Sequence, residues 1–577
     1  MTVDQLWIIL ILAGAMAAFA LNRWRTEVVA VAALSAAVLA GLVNFSSVFA
    51  GFSNSAVITV VEILMLTQLL ARSGLVDRVA RPILSRLASE RQLILFLACG
   101  GAGLSVFMNN IGALAIMLPL AYAGCRRLGV APQTVLMPLS FATLLGGMCS
   151  LIGTPANLVV SGAREENLGA PMGFFVFAVV GLPAVLAGLL WLGLFHGERG
   201  ARGSGGGEHP REEDEAVERI VFEWPVSKDA AWVGKSLEEI EREESIEILN
   251  VVRREEFVFA RRDDIRLQAG DIIVLAAPHR LFDRLWKGDE NSVGDHRAWP
   301  IREAVVTPSS VVLGSTVGSI APFDTHSVEV IGVRGANLRV DGRFADIKIS
   351  IGDVLLLQGD DDAFAGALEQ AGCLALAGRS DTPPGRITPF AAIALGCGIL
   401  LSATQITPPE IAFGLSLAGM AIAGAASLPE LLRRIDWRVV IMLAALIPLA
   451  HAFETTGAAA AMAGPILQLA LSDKVMLALA LWAVATLITP FLNNVATAAI
   501  LAPIALAAAE ASNASPDMLL LAVAAGASTD FLTPFGHHNN TVVMGAAGYE
   551  LRDFLRRGAP LTVITGVVTV LSLAIFY

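Results

Sequence analysis

Apolar runs joined by short polar links set the pattern of this chain, apart from one long polar interval in the middle. A helix needs roughly twenty apolar residues to cross a bilayer. Runs near that length fall at 5–22, 27–43, 54–71, 93–108, 110–125, 133–163 and 172–196, and again at 387–405, 410–427, 439–455, 475–492, 495–510, 516–548 and 559–577. Some are not plain crossings. Segments 93–108 and 110–125 are short and meet at Asn109-Asn110, and 475–492 and 495–510 meet likewise at Asn493-Asn494. Two short arms with a polar tip predict a re-entrant hairpin, because backbone leaves the helix at membrane depth only where protein or a wet cavity receives its polar groups. Segments 133–163 and 516–548 are too long for one straight helix and carry Gly153-Thr154-Pro155 and Thr533-Pro534-Phe535-Gly536 midway, which predicts helices broken near their centres. Residues 6–21 lack a basic flank and a small-residue cleavage site, so they read as a membrane helix rather than a cleaved signal.

Composition narrows the class. Only 16% of the 577 residues are charged, against about 25% in globular domains, and the mean hydropathy is +0.66. That excludes a soluble enzyme and a disordered chain, and a formal net charge of -12 excludes a nucleic-acid partner. The charge is concentrated: residues 198–385 hold 35 of the 52 carboxylates and 22 of the 40 Lys/Arg, which leaves the two apolar parts nearly neutral. The five cysteines, Cys99, Cys125, Cys149, Cys373 and Cys397, show no metal-ligand spacing and read as buried thiols.

With five crossings and one hairpin per half, Arg25, Arg78, Arg126, Arg127, Arg438 and Arg556 fall on the side of the acidic insert, and the other side carries only Arg164 and Lys474. The positive-inside rule then predicts a multi-pass protein of the cell membrane with residues 198–386 cytosolic and both termini outside.

The halves also repeat. Glu27 and Glu410, Gly74 and Gly457, and Gly153 and Gly536 stand 383 apart, as do Asn157 and Asn540; Asn109-Asn110 and Asn493-Asn494, and Pro119 and Pro503, stand 384 apart. An odd number of crossings per half turns the second repeat upside down. Inverted repeats with interrupted helices are the architecture of secondary transporters, whose half-helix ends hold substrate and ion near the midplane.

The segment from Val106-Phe107-Met108-Asn109-Asn110 to Pro119, its partner from Phe491-Leu492-Asn493-Asn494 to Pro503, Gly153-Thr154-Pro155-Ala156-Asn157, and Thr533-Pro534-Phe535-Gly536 with Asn540 together resemble the divalent anion:sodium symporter family, the carriers of dicarboxylates, citrate and sulfate. The resemblance covers both membrane halves. It implies a dimeric importer of a small anion with sodium, in which hairpins and broken helices move against a scaffold. Its hairpin tips bear Ser-Asn-Thr; here Asn109-Asn110-Ile111 and Asn493-Asn494-Val495 keep the central Asn and lose the hydroxyls. The implied site comprises Asn109, Asn110, Gly153, Thr154, Asn157, Asn493, Asn494, Gly536, His537, His538 and Asn540, with sodium held through Asn110, Gly153, Asn494 and Gly536.

The chemistry is consistent with that set. An amide supplies a donor to an anion and an oxygen to a cation, and helix arms starting after Asn110, Asn494, Gly153 and Gly536 would aim N–H groups at negative charge. Thr154 before Pro155 has the form of an N-cap with a first-turn proline. The competing reading is that the Asn pairs cap buried helix ends. His537 and His538 stand where the first repeat has Thr154 and Pro155; they would carry protons or help hold a dianion, or sit as neutral imidazoles bonded to nearby carbonyls. Glu62, Gln68, His451, Glu454 and Asp530 are the other polar residues at membrane depth.

The insert repeats as well. Gly234-Lys235-Ser236-Leu237, 248–253 and Gly270-Asp271 recur as Gly314-Ser315-Thr316-Val317, 330–334 and Gly352-Asp353. Short β-branched runs bounded by Gly-Asp turns predict two small α+β domains, at 217–297 and 298–378, between linkers 198–216 and 379–386; membrane repeats 1–197 and 387–577 flank them. The pattern resembles TrkA-C domains, which implies a module that senses a small ligand or holds a dimer. Gly234-Lys235-Ser236 lacks the rest of a P-loop. The expected architecture is therefore a polytopic α-helical membrane protein with an inserted α+β pair. The expected activity is sodium-coupled import of sulfate or a di- or tricarboxylate, without a cofactor. A cation/proton antiporter and a TrkA-C-gated channel are the competing readings.

Overall fold

The computed structural model describes residues 1–577 except 22–23, 196–218, 229, 245, 255, 259–263, 289–298, 308–309, 336–337, 339, 341, 378–387, 405, 425–426, 434, 436 and 470–472. Both expected linkers, 198–216 and 379–386, lie outside the described residues. The chain forms two compact units, one made of Met1–Gly197, Asp381–Asn540 and Leu551–Tyr577, the other of Glu198–Ser380 with Thr541–Glu550.

The first unit is helical. Among the described residues, seven of its helices are long and apolar enough to cross a membrane. Its outward faces are apolar: Leu182, Leu186, Leu190 and Leu194 form an exposed stripe along helix Ala178–Phe195, and Val563, Val567, Leu571 and Ile575 do the same along Leu551–Phe576. The i, i+4 spacing puts each set on one helix face, and exposed apolar faces of this extent belong against lipid. Two cysteines expected to be buried, Cys99 and Cys397, are exposed on such faces, while Cys125, Cys149 and Cys373 are buried.

The first hairpin joins Glu90–Phe107 to Asn110–Leu128. Added side chains at Gly100 and Gly124 would meet Met117 and Leu93, so 100 faces 117 and 93 faces 124, an antiparallel register. The arms have 18 and 19 residues, about 27 Å at 1.5 Å per residue. They are longer than the apolar count suggested because Glu90-Arg91-Gln92 and Arg126-Arg127 remain helical beyond the apolar core; Ser89 caps the first arm by accepting from Gln92 N–H. Arms Lys474–Leu492 and Asn494–Ser512 repeat this arrangement. Helix Pro132–Gly147 stops and restarts as Pro155–Leu168, and Pro516–Ser528 stops and restarts as His538–Ala547. Small residues let these elements approach: a Cβ at Gly146 would lie 2.2 Å from Ala102 O, and one at Gly526 would lie 2.5 Å from Trp482 O.

The second unit holds one eight-stranded sheet: β1 (Arg219–Pro225), β2 (Glu247–Arg253), β3 (Glu256–Phe257), β4 (Ile272–Pro278), β5 (Ile301–Val306), β6 (Glu329–Arg334), β7 (Val354–Gln358) and β8 (Cys373–Ala377), in the order β3-β2-β4-β1-β6-β7-β5-β8. The ranges 217–297 and 298–378 contribute four of these strands each, and β1 and β6 meet antiparallel at Val221–Val333 between the two sets. Pairing covers two strand edges that separate domains would expose. Period-2 alternation then sorts the side chains. Ile220, Phe222, Ile273, Leu275 and Leu356 bury one face under helices Leu237–Glu244 and His279–Gly288, while Val221, Val274, Val333, Leu355 and Leu357 bury the other under Ala321–Thr325 and Asp361–Ala371.

The internal repeat reaches individual hydrogen bonds. Gly234 N–H donates to Leu267 O at 2.8 Å and Gly314 N–H to Ile349 O at 2.9 Å; Gly270 N–H donates to Val226 O and Gly352 N–H to Val306 O, both at 2.9 Å. All four glycines have φ between 79° and 90°, which only glycine adopts freely. Gly234 thus serves a turn whose N–H is already bonded, not a phosphate loop. Charge breaks the symmetry. Arg253 holds Asp271 at 2.7 and 2.8 Å, whereas Arg334 lies 3.7 Å from Glu303 and Asp353 Oδ2 accepts the Ser350 N–H at 2.7 Å. Burial pushes the Asp353 carboxyl up to about 6 from its ordinary 3.8, against the lowering pull of that N–H.

A raised folded-state value means that Asp353 favours folding fully below pH 4 and loses that contribution as pH rises through 6. Two units correspond to roughly 3 kcal/mol. The thermal midpoint of the full chain should fall between pH 4 and pH 6.5, and Asp353→Asn should flatten that slope; an unchanged slope would remove Asp353 as its source.

Candidate functional site

Within the membrane unit, the first residue of each Asn pair is a helix cap. Asn109 Oδ1 accepts from Gly112 N–H at 2.8 Å, and Asn493 Oδ1 accepts from Val495 and Ala496 N–H at 3.1 and 3.0 Å. Asn493 adopts φ 70° and ψ 162° to do so, a region that glycine alone enters freely. These bonds occupy donors at the starts of the two arms that were expected to face an anion.

The second residue of each pair is buried, Asn110 at 3% and Asn494 at 5% exposure. Asn110 is where the elements meet. Its amide nitrogen donates to Ser105 Oγ at 2.7 Å, to Thr143 O at 3.0 Å and to Gly153 O at 3.2 Å, and its oxygen accepts from His537 Nε2 at 3.2 Å. The amide orientation and the imidazole tautomer support each other: His537 Nδ1 accepts the Asn539 N–H at 3.1 Å, so the ring proton sits on Nε2 and the ring is neutral. His537 is the imidazole bonded to a neighbour, not a charged group. His538, by contrast, is exposed at the start of its helix. In the second repeat Thr489 takes the place of Ser105, its hydroxyl 3.2 Å from Asn494 Oδ1 and 2.8 Å from Ala527 O.

The breaks are closed by one device used twice. Asn157 Nδ2 donates to Gly147 O at 3.3 Å and to Ser150 O at 2.8 Å, ten and seven residues back. Asn540 Nδ2 donates to Asp530 O at 2.7 Å and to Thr533 O at 3.2 Å, again ten and seven residues back. Unwound carbonyls that a lipid environment cannot satisfy thereby find donors. Asn157 and Asn540 are staples of the breaks. Asn540 Oδ1 also accepts from Ser140 Oγ at 2.7 Å, tying one repeat to the other. Thr154 occupies the N-cap position before Pro155, but its side chain makes no cap hydrogen bond. Gly153 and Gly536 allow close packing: a Cβ on Gly153 would lie 2.5 Å from Gly147 O, and one on Gly536 would lie 2.3 Å from Asp530 Oδ2.

Asn539 is the residue that the sequence reasoning missed. Fully buried, it donates through Nδ2 to Asn110 O and to Thr143 Oγ1, both at 2.8 Å, and so joins the second break to the first hairpin tip. Ser105 and Thr489 were missed too; a hydroxyl five residues before each central Asn, at the repeat offset of 384, was the signal. Of the other polar residues at membrane depth, Glu454 accepts from Asn167 Nδ2 at 3.1 Å and His451 is exposed, so neither joins this cluster. Glu62 lies beside Gly414, away from it.

Neutral amides, hydroxyls and one neutral imidazole gathered where the first hairpin tip meets both breaks can hold a small polar solute without forming covalent bonds. The family model described as "Citrate transporter" (CitMHS) matches residues 16–526 and 462–577. The chain belongs to the citrate transporter family. It is accordingly a multi-pass membrane transporter, a permease and not an enzyme. An uncharacterized transporter of Synechocystis is 29% identical over 574 residues, covering 93% of this chain and 91% of its own. Sodium/sulfate cotransporter 1 of Chlamydomonas reinhardtii is 23% identical over 55% of this chain and 39% of its own. The sodium-dependent dicarboxylate transporter SdcS of Staphylococcus saprophyticus is 27% identical over 29% of this chain and 37% of its own. The resemblance to anion:sodium symporters read from the sequence is therefore confirmed at the level of the family.

Proposed function

We propose that this family member imports a small anion, sulfate or a di- or tricarboxylate, together with sodium. The observation that carries this reading is the convergence of the first hairpin tip and both breaks on neutral donors, centred on the Asn110–His537–Asn539 cluster. Two of the relatives above bear names that couple sodium to sulfate or dicarboxylate. The matching staples at Asn157 and Asn540 support two repeats, and the parity of crossings in the sequence makes them inverted.

The sorting of arginines supports a cell-membrane protein with the insert in the cytosol and both termini outside. The duplicated turn-and-strand pattern supports a pair of TrkA-C units, which would bind a small ligand or hold a homodimer together. Thr154, His538, Asn109 and Asn493 act in this reading by shaping the site, and Asn110, Asn494, Gly153 and Gly536 by holding solute or sodium.

Uptake of labelled sulfate, succinate and citrate into proteoliposomes under an inward sodium gradient tests the reading. One of the anions should accumulate, and Asn110→Ala and Asn494→Ala should each reduce uptake roughly tenfold or more, the consequence of losing about 1.4 kcal/mol or more of buried hydrogen bonding. Uptake unchanged in both variants would remove the site. Acidification driven by sodium without any added anion would instead favour a cation/proton antiporter.

A further inference from the structure

The two repeats differ at one position in a way that their shared geometry makes informative. Residue 147 of the first repeat is glycine, and the residue 383 further on is Asp530. Both supply the carbonyl ten residues before the stapling asparagine, so their backbones hold equivalent places. A Cβ at Gly147 would point at the Asn110 amide, 2.1 Å from the atom that faces Ser105 and Gly153, its nitrogen. Equivalent backbones give the Asp530 side chain the corresponding direction, toward the second hairpin. It is fully buried, both carboxylate oxygens have no hydrogen-bond partner, and it sits against Gly536, whose own Cβ would lie 2.7 Å from Pro490 Cα. Thr533, three residues on, also has a buried hydroxyl without a partner.

We propose that Asp530 is the charged ligand of a monovalent-cation site in the second repeat, completed by neutral oxygens from the break and the tip. A lone carboxylate taken out of water is unfavourable unless a proton or another cation accompanies it. Here helix Pro516–Ser528 ends just before Asp530, and arm Lys474–Leu492 ends at the tip. Helix C-termini carry partial negative charge, which favours a cation and disfavours an arginine-free carboxylate standing alone. One carboxylate balances one positive charge; a divalent ion would need more, and no cluster of three or more His, Cys, Asp or Glu exists among the described residues. The oxygen-only chemistry selects a hard cation of the sodium class. The repeats thereby divide the work: neutral donors around Asn110 suit an anion, and the carboxylate beside the second tip suits its companion cation. This rests on the reading of the chain as an ion-coupled carrier.

Carbodiimide modification of the purified full-length protein, read at the Asp530 peptide by mass spectrometry, tests the proposal on the wild type. Sodium chloride should suppress labelling at least fivefold relative to choline chloride; equal labelling in the two salts overturns the site. Asp530→Asn, nearly isosteric, should abolish the sodium-dependent rise in thermal midpoint, and a variant that retains that rise overturns the site as well. The two ideas fail separately. Sodium protection of Asp530 without uptake of any anion leaves the cation site standing and removes the anion reading, whereas sodium-driven uptake unchanged in Asp530→Asn does the reverse.

Discussion

Asn540→Ala should be strongly destabilising, with Asn157→Ala close behind. Each staple holds two backbone carbonyls of an unwound segment, and each asparagine is buried at 1% exposure or less. Truncation leaves both carbonyls without a donor in a region where water does not replace the loss. At about 1–3 kcal/mol for each buried group left unsatisfied, the cost is roughly 2–6 kcal/mol. That is a large part of the 5–15 kcal/mol or so by which folded proteins are stable. Asn540 has the larger cost because the Ser140 hydroxyl also loses its acceptor. Thermal unfolding in detergent and the yield of monodisperse protein measure the effect. Asn167→Ala is the control, since that amide is exposed and bonds only to Ala163 O and Glu454; it should be neutral. A midpoint for Asn540→Ala close to that of Asn167→Ala would mean that the break does not depend on its staple.

The staples also show what a sequence can and cannot disclose here. The repeat offset, the Asn-Asn tips and the broken helices were legible, because apolar run lengths and Gly/Pro punctuation report where backbone must leave the helix. The role of each asparagine was not. Asn109 and Asn110 are adjacent and chemically identical, yet one caps a helix and the other bonds across to Gly153 and His537; one residue of rotation about a helix axis separates those fates. Asn539 went unnoticed beside Asn540 for the same reason, since its partners Asn110 and Thr143 are some 400 residues away in sequence. In the insert, the alternation of apolar residues placed the strands but not the pairing of β1 with β6 that makes their sheet continuous. That pairing joins two strand edges, and edge pairing leaves no mark on a single strand's pattern.

Gly153→Ala should abolish transport while leaving most of the fold intact. A methyl group there would lie 2.5 Å from Gly147 O, 2.7 Å from Gly147 Cα and 2.9 Å from its carbonyl carbon. All three atoms are backbone, so no side chain can rotate away, and the two arms of the break must separate. Overpacking of this kind costs about 1–3 kcal/mol, and the movement acts on the Gly153 carbonyl that receives the Asn110 amide. A cost of that size in the bound geometry is roughly a ten- to hundredfold loss of affinity. Gly103→Ala separates this from a general glycine effect: it lies within helix Glu90–Phe107 and a Cβ there would meet nothing within 4 Å. Replacing a helical glycine whose conformation alanine accepts stabilises by about 0.4–1 kcal/mol, so Gly103→Ala should transport normally and unfold slightly later. Equal uptake by the two variants would show that close approach at the break is not needed for transport. Loss of uptake in Gly153→Ala, with the thermal midpoint lowered by only a few degrees, would place the defect in the site itself, because the Asn157–Ser150 bond and the cap on Asn109 do not involve the carbonyl that the methyl displaces.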